Sequence, residues 1–473
     1  MEAAATKGVV AHPCSSPFGY KDVDTLTGDQ RIGVDEMLKK MLRMTAVTGM
    51  LIGAACFPAF AAGWEQVDGD GDWVWRDKDG SVVYDTWKKG ADGTWYYLGS
   101  DGIMVKDSLI EVDDDRYYVD GEGRMIKEQW KRIYADDGEE YWYYFRDSGK
   151  AYKGNGSKAS LKTIGDKRYI FDAEGRMQYG WVAEDGCMVD EDDSEGWKDA
   201  VYYCGTEDEG WVTVGWAQIE VDHEDERKDR RFYFGNNGKK TVDKDLKVKD
   251  ANGKEYRYGF DEYGVVLTQK LISTTTVNAD GTTTTTSRYY DNKGTLNRAQ
   301  WIERVPSASQ DADDHANDVK RKFYSLKNGD LVKDAIKRID GKYYCFDAVG
   351  IMRVGLVAIK DGRYAYTLQN TNEDDDIWAD VSDLVNAKEN GCSIMYFDEK
   401  TGARKTGRIN IDLGDRYTMR FLENGEAADG EYQGHLYEAG ILLKAGQDNE
   451  ETYQEFTVNG IVYSVDRSGK IQR

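Results

Sequence analysis

Aromatic residues and turn residues alternate in a regular order along most of this chain. The clearest example is residues 86–104, TWKKGADGTWYYLGSDGIM, in which Trp87 precedes a turn at Gly93 and the aromatic run at 95–97 precedes a second turn at Gly102. Aromatic residues in tandem between Gly- and Asp-containing turns predict a short strand, a tight turn and a return strand. One hairpin of this size is not stable alone, so each hairpin must be stabilised by its neighbours.

The same order of aromatic residues and turn residues recurs almost to the C-terminus. The early turn glycines lie at positions 80, 102, 123, 149 and 175, which are 22, 21, 26 and 26 residues apart. This period accommodates one hairpin and one connection, and no long amphipathic helical pattern follows residue 63. We therefore predict an all-β fold, a solenoid of stacked β-hairpin repeats, preceded by an N-terminal signal helix. Later aromatic runs that precede a turn glycine begin at Phe232, Tyr256, Tyr289, Phe323, Tyr343, Tyr396, Tyr417 and Tyr463.

Three acidic stretches, residues 184–195, 303–318 and 370–390, lengthen the period. We expect them to be loop insertions, because insertions at the surface of a repeat array cost little free energy. The five consecutive threonines at 282–286 predict a strand edge or a long hairpin.

The aspartates at positions 68, 70 and 72 resemble the start of a calcium-binding loop, with Asp79 at the twelfth position. Trp73, however, occupies the sixth position, where an EF-hand loop needs glycine. We therefore expect a hairpin turn here. The runs at 113–115 and 374–376, each of three aspartates, are expected to be solvated loops.

Residues 37–62 have the three parts of a secretory signal peptide. A basic head at 39–43 is followed by an uncharged stretch at 45–62, which contains a small–x–small cleavage pattern at 59–61. We predict cleavage near residue 62 and export of the chain. The alternative is an uncleaved membrane anchor, because about 18 apolar residues can just span a bilayer. We interpret residues 1–36 as an N-terminal extension that a translation start at Met37 would leave untranslated.

The composition favours many small units over one large core, since the chain has 51 Gly, 32 Tyr and 13 Trp but is only 40% hydrophobic. Its formal net charge of −24 repels nucleic-acid phosphates and anionic membrane surfaces. We therefore predict no nucleic-acid partner and no membrane contact of the mature chain.

The six cysteines form no Cys-x-x-Cys pair and the four histidines are scattered, so we expect no metal ion and no cofactor. Cys187 with Cys204, and Cys345 with Cys392, could form disulfides in an oxidising compartment, and the sequence does not decide this. No nucleophile elbow, zinc-protease, P-loop or dinucleotide motif is present. Carboxylates are abundant enough for a glycosidase pair, but no non-repeat region is long enough to hold one rigidly. We expect no enzymatic activity.

At Gly180-Trp181, at Gly215-Trp216, and at WYY 95–97 with DGIM 101–104, the chain resembles the cell-wall-binding repeat family. Its best-known members are the choline-binding repeats of Gram-positive surface proteins, and the glucan-binding repeats of glucosyltransferases are relatives. The resemblance covers roughly residues 63–473. It implies hairpins stacked as a left-handed β-solenoid, with ligand sites between neighbouring hairpins.

The resemblance further implies that a choline site is a box made of two Trp from one hairpin and a Tyr from the next. A quaternary ammonium cannot donate a hydrogen bond, but the negative faces of aromatic rings attract it. A sugar ring stacks on the same faces, so a box does not identify its ligand. The alternative is that the rings form only the core between hairpins. The implied ligand-binding residues are Trp87 and Trp95 with Tyr117, and Met104 as a wall; Trp130 and Trp142 with Tyr169; and Trp64 and Trp75 with a ring from Trp87 or Tyr96.

Eleven of the thirteen Trp lie at or before Trp216. We therefore divide the mature chain into Trp-rich, ligand-binding repeats at 63–216 and divergent Tyr/Phe repeats at 217–473, where Leu356, for example, replaces an opening Trp. The leading hypothesis is a secreted, cell-wall-associated, non-enzymatic protein that binds choline-bearing teichoic acid or a glucan-like polysaccharide through many weak sites. The alternative is a structural spacer or a protein-interaction solenoid on the cell surface, with vestigial sites and another surface protein as its partner.

Overall fold

The computed structural model describes residues 61–67, 71–135, 137–250, 252–368, 381–413, 415–446 and 452–472. The chain divides into two compact units. Unit 1 ends at Asp243 and also takes Glu262–Val265, and unit 2 is Lys244–Asp261 with Val266–Arg473. The predicted extension and signal segment lie almost wholly outside the described residues and stay predictions, as does the functional division at residue 216.

The strands described in unit 1 pair as two-stranded antiparallel hairpins, β1 with β2 through to β13 with β14. Their bounds are β1 Gly63–Gln66, β2 Trp73–Arg76, β3 Thr86–Lys89, β4 Trp95–Leu98, β5 Ser108–Val112, β6 Asp115–Val119, β7 Gln129–Tyr134, β8 Glu140–Phe145, β9 Lys162–Ile164, β10 Lys167–Tyr169, β11 Trp181–Val182, β12 Tyr202–Tyr203, β13 Gly215–His223 and β14 Glu226–Phe234. A 3₁₀ helix, Gly196–Lys198, lies between β11 and β12.

Unit 2 combines hairpins with larger antiparallel sheets. Its strands are β15 Lys244–Lys249, β16 Glu255–Phe260, β17 Lys270–Val277, β18 Thr283–Tyr290, β19 Gln300–Arg304, β20 Arg321–Ser325, β21 Ala335–Ile339, β22 Lys342–Phe346, β23 Met352–Arg353, β24 Gly355–Lys360, β25 Arg363–Thr367, β26 Ser393–Phe397, β27 Gly407–Leu413, β28 Asp415–Phe421, β29 Gly430–Tyr432, β30 His435–Glu438, β31 Ile441–Leu442, β32 Tyr453–Val458 and β33 Ile461–Asp466. Three-stranded sheets have the orders β21-β22-β23 and β25-β24-β26, and a five-stranded sheet has the order β27-β28-β31-β30-β29. The predicted all-β fold of repeated hairpins is confirmed.

Consecutive hairpins are joined by one recurring backbone hydrogen bond. The residue two positions after a turn glycine donates its N–H to a carbonyl on the second strand of the preceding hairpin; Met104 bonds Trp73 at 2.7 Å, and Met125 bonds Trp95 at 2.8 Å. We call this residue the stacking position. In unit 1 it is Met104, Met125, Ala151, Met177, Val212 and Lys240, and in unit 2 it includes Leu296, Leu331, Arg404 and Ala427.

Side chains at the stacking position pack under the turn of the next hairpin. A Cβ on Gly123 would lie 2.8 Å from the Met104 sulfur, and Gly149 lies on Met125 in the same way. Glycine is favoured at these turns both because φ is positive, +76° at Gly123, and because a Cβ there would displace the methionine side chain beneath it. This packing explains why the pattern Gly-x-Met recurs in the sequence.

The acidic insertions are more ordered than predicted. Loops alone were expected, but residues 303–318 contain helix α1, Ala312–Ala316, and residues 370–390 contain helix α2, Val381–Glu389. Helix α2 buries Leu384 and Ala387 in an apolar cluster with sheet residues, which supplies the reason that it forms. The threonine run lies in the long β17–β18 hairpin, as predicted.

The two disulfides that the sequence left open do not form. Cys204, Cys345 and Cys392 are buried free thiols, so neither Cys187–Cys204 nor Cys345–Cys392 exists. Cys345 and Cys392 lie in different apolar clusters, the first around Val357 and the second around α2. Burial raises the pKa of the Cys204 and Cys345 thiols to about 12, which keeps both protonated.

The acidic turns behave largely as expected. Asp113 and Asp114 both have positive φ and form the two-residue turn between β5 and β6. The suspected calcium loop connects β1 to β2, as a hairpin turn would; its residues 68–70 lie outside the described part. Within the described part, no group of three or more His, Cys, Asp or Glu side chains could hold a metal ion.

Candidate ligand-binding site

A cluster of three aromatic rings recurs where one hairpin meets the next. The first ring is the Trp that opens a hairpin, the second is directly opposite on the return strand, and the third lies on the return strand of the following hairpin. The members are Trp64, Trp75 and Tyr96; Trp87, Tyr97 and Tyr117; Trp130, Tyr144 and Tyr169; Trp181, Tyr203 and Phe232; and Trp301, Tyr324 and Tyr344.

The first predicted box is centred on Trp87. Strand register places Trp87 opposite Tyr97, with ring centroids 5.0 Å apart, and Tyr117 lies 5.2 Å away on the next hairpin. Trp95 lies on the same face as Tyr97 because side chains alternate along a strand. Among the described residues, however, its ring does not contact Trp87, and it is 36% exposed. Trp95 therefore lies beside this cluster, partly exposed, and not within it.

Met104 belongs to a different box from the one predicted. Its N–H bonds Trp73, which places it over the β1–β2 hairpin, and it is buried beneath Gly123. The residue in the corresponding position over the Trp87 hairpin is Met125, whose N–H bonds Trp95. The sequence could have indicated this shift, because stacking couples each methionine to the hairpin before its own.

The second predicted box contains more of its predicted rings than the first. The Trp130 ring lies 6.5 Å from Trp142 and 4.9 Å from Tyr169, and 5.2 Å from Tyr144 opposite it. Met177, the stacking residue of this pair, packs in the same apolar cluster. The structure therefore brings together all three rings that the sequence assigned to this box, and adds Tyr144.

The third predicted box contains Trp64 and Trp75, with centroids 5.5 Å apart. Of the two rings proposed to complete it, Tyr96 is the one in contact, at 5.3 Å from Trp64. The indole nitrogens of Trp64 and Trp142 are buried and have no hydrogen-bond partner among the described residues. Both indoles therefore contribute their ring faces to the boxes, and not their N–H groups.

Two three-ring clusters were not predicted as sites. Trp301 lies 5.1 Å from Tyr324 and 4.8 Å from Tyr344, and it is 37% exposed. This repeats the Trp87 arrangement within unit 2, in the segment that the sequence assigned to divergent repeats. The signal was present as a Trp that opens a hairpin, but the small number of Trp in this half obscured it. The other cluster is at Trp181.

The rings of the boxes are uncharged. Burial raises the pKa of the Tyr97 and Tyr169 hydroxyls above the ordinary value, so both are neutral phenols near neutral pH. Neutral aromatic faces can attract a cation without hydrogen bonds, and a sugar ring can stack against them.

A cavity of about 230 Å³ lies beside the Trp181 cluster. Its lining includes Trp181, Trp197 and Tyr203, with the carboxylates of Asp190 and Asp222 among its polar residues. Its lining thus combines aromatic rings with several carboxylates and the guanidinium of Arg227.

Comparison with known proteins bears on these rings directly. Residues 91–130 match the family model described as a choline-binding repeat. The predicted resemblance to choline-binding repeats is confirmed on this segment. The matched choline-binding repeat contains Trp95, Tyr117 and Trp130, which belong to the first two predicted boxes, as well as Met125. No curated protein sequence matches the chain.

Several solved structures also resemble the chain, all at low overall similarity. The autolysin LytC of Streptococcus pneumoniae is 18% identical over 65% of this chain and 51% of its own, with a TM-score of 0.22. CbpJ of the same organism is 15% identical over 80% of this chain and 100% of its own, at 0.29, and choline-binding protein F is 16% identical over 81% and 100%, at 0.25. The chain thus spans about half the length of LytC. At these TM-scores none of these structures identifies a ligand for this chain.

Among the described residues, no helix is long and apolar enough to cross a membrane.

Proposed function

We propose that this chain binds choline units of a cell-surface polymer, such as choline-bearing teichoic acid, in aromatic boxes between neighbouring hairpins. The observation that carries the proposal is that the choline-binding repeat at 91–130 falls on rings of the Trp87 and Trp130 boxes. The Trp87 box brings together three aromatic rings, whose faces attract a quaternary ammonium.

The Trp301 cluster supports a further site in unit 2. Its centroid distances match those of the Trp87 cluster within a few tenths of an ångström. Hairpins that open with Leu, such as those at Leu109 and Leu246, keep the opposite Tyr but lack the first ring. We assign these hairpins a structural role and not a binding role.

The test is retention of the purified chain on an immobilised choline resin at high salt. A choline resin is cationic, and a chain of net charge −24 adsorbs to it by ion exchange at low salt. At about 1 M NaCl the Debye length falls to about 3 Å, which removes this contribution. We expect retention to persist there and elution to require free choline chloride, with added NaCl of equal ionic strength failing to elute.

The variant that tests the box is Trp87→Leu. Leucine already opens other hairpins opposite a Tyr, at Leu109 and Leu246, so the hairpin is expected to fold. The control is Trp73→Leu, because Trp73 is an exposed Trp of the neighbouring hairpin that, among the described residues, belongs to no ring cluster. We expect Trp87→Leu to weaken choline binding and Trp73→Leu to leave it unchanged. Equal weakening by both variants would contradict the proposal.

Further parts of the proposal are that the protein is secreted, associated with the cell wall and non-enzymatic. Sequencing the N-terminus of the secreted form would test export, and incubation with purified cell wall would test for hydrolysis.

A dextran resin separates the two ligand classes, choline-bearing polymer and glucan, since a glucan-binding protein would be retained there and released by free glucan. Failure on both resins would favour the alternative of a structural or protein-interaction solenoid.

A further inference from the structure

Lys240 occupies the stacking position that methionine occupies in the predicted boxes. Its N–H donates to the Val201 carbonyl at 2.7 Å, as the N–H of Met177 donates to Trp142 at 2.8 Å. Its aliphatic stem lies under Gly264, as the Met125 side chain lies under Gly149. The methylene groups of Lys240 therefore pack as a methionine side chain packs at the other stacking positions. Lys240 differs from methionine in carrying an ammonium group.

The added ammonium lies over two indole rings. The Nζ atom is 5.2 Å from the ring centroid of Trp181 and 5.6 Å from that of Trp197. It donates hydrogen bonds to the carbonyl oxygens of Trp197 at 2.7 Å and Lys198 at 2.9 Å. Lys240 is only 8% exposed. A cation within about 6 Å of a Trp face is attracted to it, most strongly when it is desolvated.

The short helix that follows the first acidic insertion supplies half of this arrangement. Trp197 lies on the 3₁₀ helix Gly196–Lys198, directly after the insertion at 184–195, and its ring is 6.2 Å from Trp181. The same short helix provides both carbonyl oxygens that accept from Lys240. This helix thus gives the Trp181 box a second indole and gives the ammonium two acceptors.

The boxes proposed to bind choline differ at this point. Among the described residues, no Lys or Arg lies over the opening rings Trp64, Trp87 and Trp130. Cations do lie near the second indoles of these boxes, at 5.5–5.9 Å, from the partly or fully exposed side chains Lys88, Lys89 and Arg132. None of these three is buried as Lys240 is.

We propose that Lys240 is a built-in ligand: its ammonium occupies the cation position between Trp181 and Trp197 and closes this box to free quaternary ammonium ions. The inference rests on the proposed function only in the chemistry of the boxes, and it determines which boxes bind. The cavity beside Trp181 is a separate space, because Lys240 is not among its lining residues.

The test compares Lys240→Met with Lys240→Arg in the full chain. Methionine is the natural residue at three other stacking positions, so Lys240→Met keeps the packing and removes the cation, whereas Lys240→Arg keeps a cation. The number of choline sites per chain is measured by calorimetric titration with choline chloride. We expect the wild type and Lys240→Arg to bind the same number, and Lys240→Met to bind one more. The neutral analogue 3,3-dimethylbutan-1-ol should not fill the added site.

The outcomes separate this inference from the proposed function. If the wild type binds no choline but Lys240→Met binds one, the inference stands and the proposed function fails. If the wild type binds choline and Lys240→Met binds no more, the inference fails and the proposed function stands. If neither protein binds choline, both fail.

A second measurement on the wild type decides the matter if Lys240→Met does not fold. Acetylation of lysines by acetic anhydride is followed by mass spectrometry with and without saturating choline. We expect Lys240 to be acetylated far more slowly than the exposed Lys78, and choline to leave its rate unchanged. A rise in Lys240 acetylation with choline would show that free choline displaces the ammonium, which would overturn the inference.

Discussion

At the residue scale, Asp172 shows what happens when a turn aspartate is buried. Its carboxylate accepts the Arg176 N–H at 2.7 Å, as Asp120 accepts the Arg124 N–H at 2.8 Å in an equivalent turn. Asp172 is only 9% exposed. Burial raises the pKa of the Asp172 carboxyl to about 6, against the stabilising effect of the Arg176 N–H.

This raised pKa predicts how stability changes with pH. Well below pH 4 the carboxyl is protonated in both the folded and the unfolded chain, so its burial does not lower the free energy of unfolding. As pH rises, the unfolded carboxyl ionises first, so wild-type stability falls until the folded Asp172 carboxyl ionises near pH 6. We therefore expect Asp172→Asn to be more stable than the wild type above pH 6, by at most about 3 kcal/mol, and to lose this advantage near pH 4.

Urea unfolding at several pH values measures this difference. The matched control is Asp120→Asn, whose side chain makes the same turn contact but is 28% exposed. We expect Asp120→Asn to give no gain in stability, because that carboxylate is more exposed and is paired with Arg124 at 2.9 Å. An Asp172→Asn advantage that is independent of pH would contradict the explanation.

The residue scale also shows where sequence reasoning about the site fell short. The sequence predicted that Trp87 would meet rings on its own and the next hairpin, which is what the structure has. The sequence-based prediction paired Trp87 with Trp95, whereas the strand register places Tyr97 opposite Trp87. Turn length sets register, and the aromatic run offered three candidates in a row, so residue type alone could not choose among them. Trp197 was missed because it lies beyond an acidic insertion.

At the element scale, the contact between a stacking side chain and the next turn glycine joins one hairpin to the next. At the β3–β4 hairpin, a Cβ on Gly102 would lie 2.6 Å from Val82 and 3.0 Å from Tyr84, which precede the hairpin in the chain. Gly93, at the tip of the same hairpin, has its nearest neighbour at 3.9 Å, in Lys89. Both glycines have positive φ, +78° and +87°.

Substitution by alanine should separate these two effects. At Gly93, Ala introduces only left-handed backbone strain, which costs about 1–2 kcal/mol. At Gly102 the same strain is joined by a clash with a branched side chain, which adds about 1–3 kcal/mol. We expect Gly102→Ala to lower the urea midpoint clearly more than Gly93→Ala, as followed by Trp fluorescence. Equal effects would mean that the turn does not carry the contact between hairpins.

The elements were predictable where the repeat is regular. Gly spacing and aromatic runs identified the hairpins, because few structures other than a hairpin combine a positive-φ turn with two flanking aromatic strands. The five-stranded sheet of unit 2 was not predictable, since β28 pairs with β31 across a turn and a further hairpin. Helix α2 was missed because its stability comes from packing Leu384 and Ala387 and not from a long amphipathic pattern.

At the scale of the whole molecule, the boxes matter through their number. A single aromatic box that binds choline with a Kd near 1 mM contributes about 4 kcal/mol. A polymer with many choline groups can engage a second box at an effective concentration in the millimolar range, which raises the overall affinity without new contacts. The Trp87 and Trp130 boxes both lie in unit 1.

We therefore expect retention on a choline-bearing surface to fall much more steeply than the number of sites. Trp87→Leu should remove one free-choline site, and Trp87→Leu with Trp130→Leu should remove two, by calorimetric titration with choline chloride. Retention on a surface that carries choline-substituted polymer should meanwhile fall by more than the fraction of sites lost with each box removed. Trp73→Leu should change neither quantity. All surface measurements are made at about 1 M NaCl, where ion exchange by the acidic chain is screened. Retention that falls only in proportion to the number of sites would show that the boxes act one at a time.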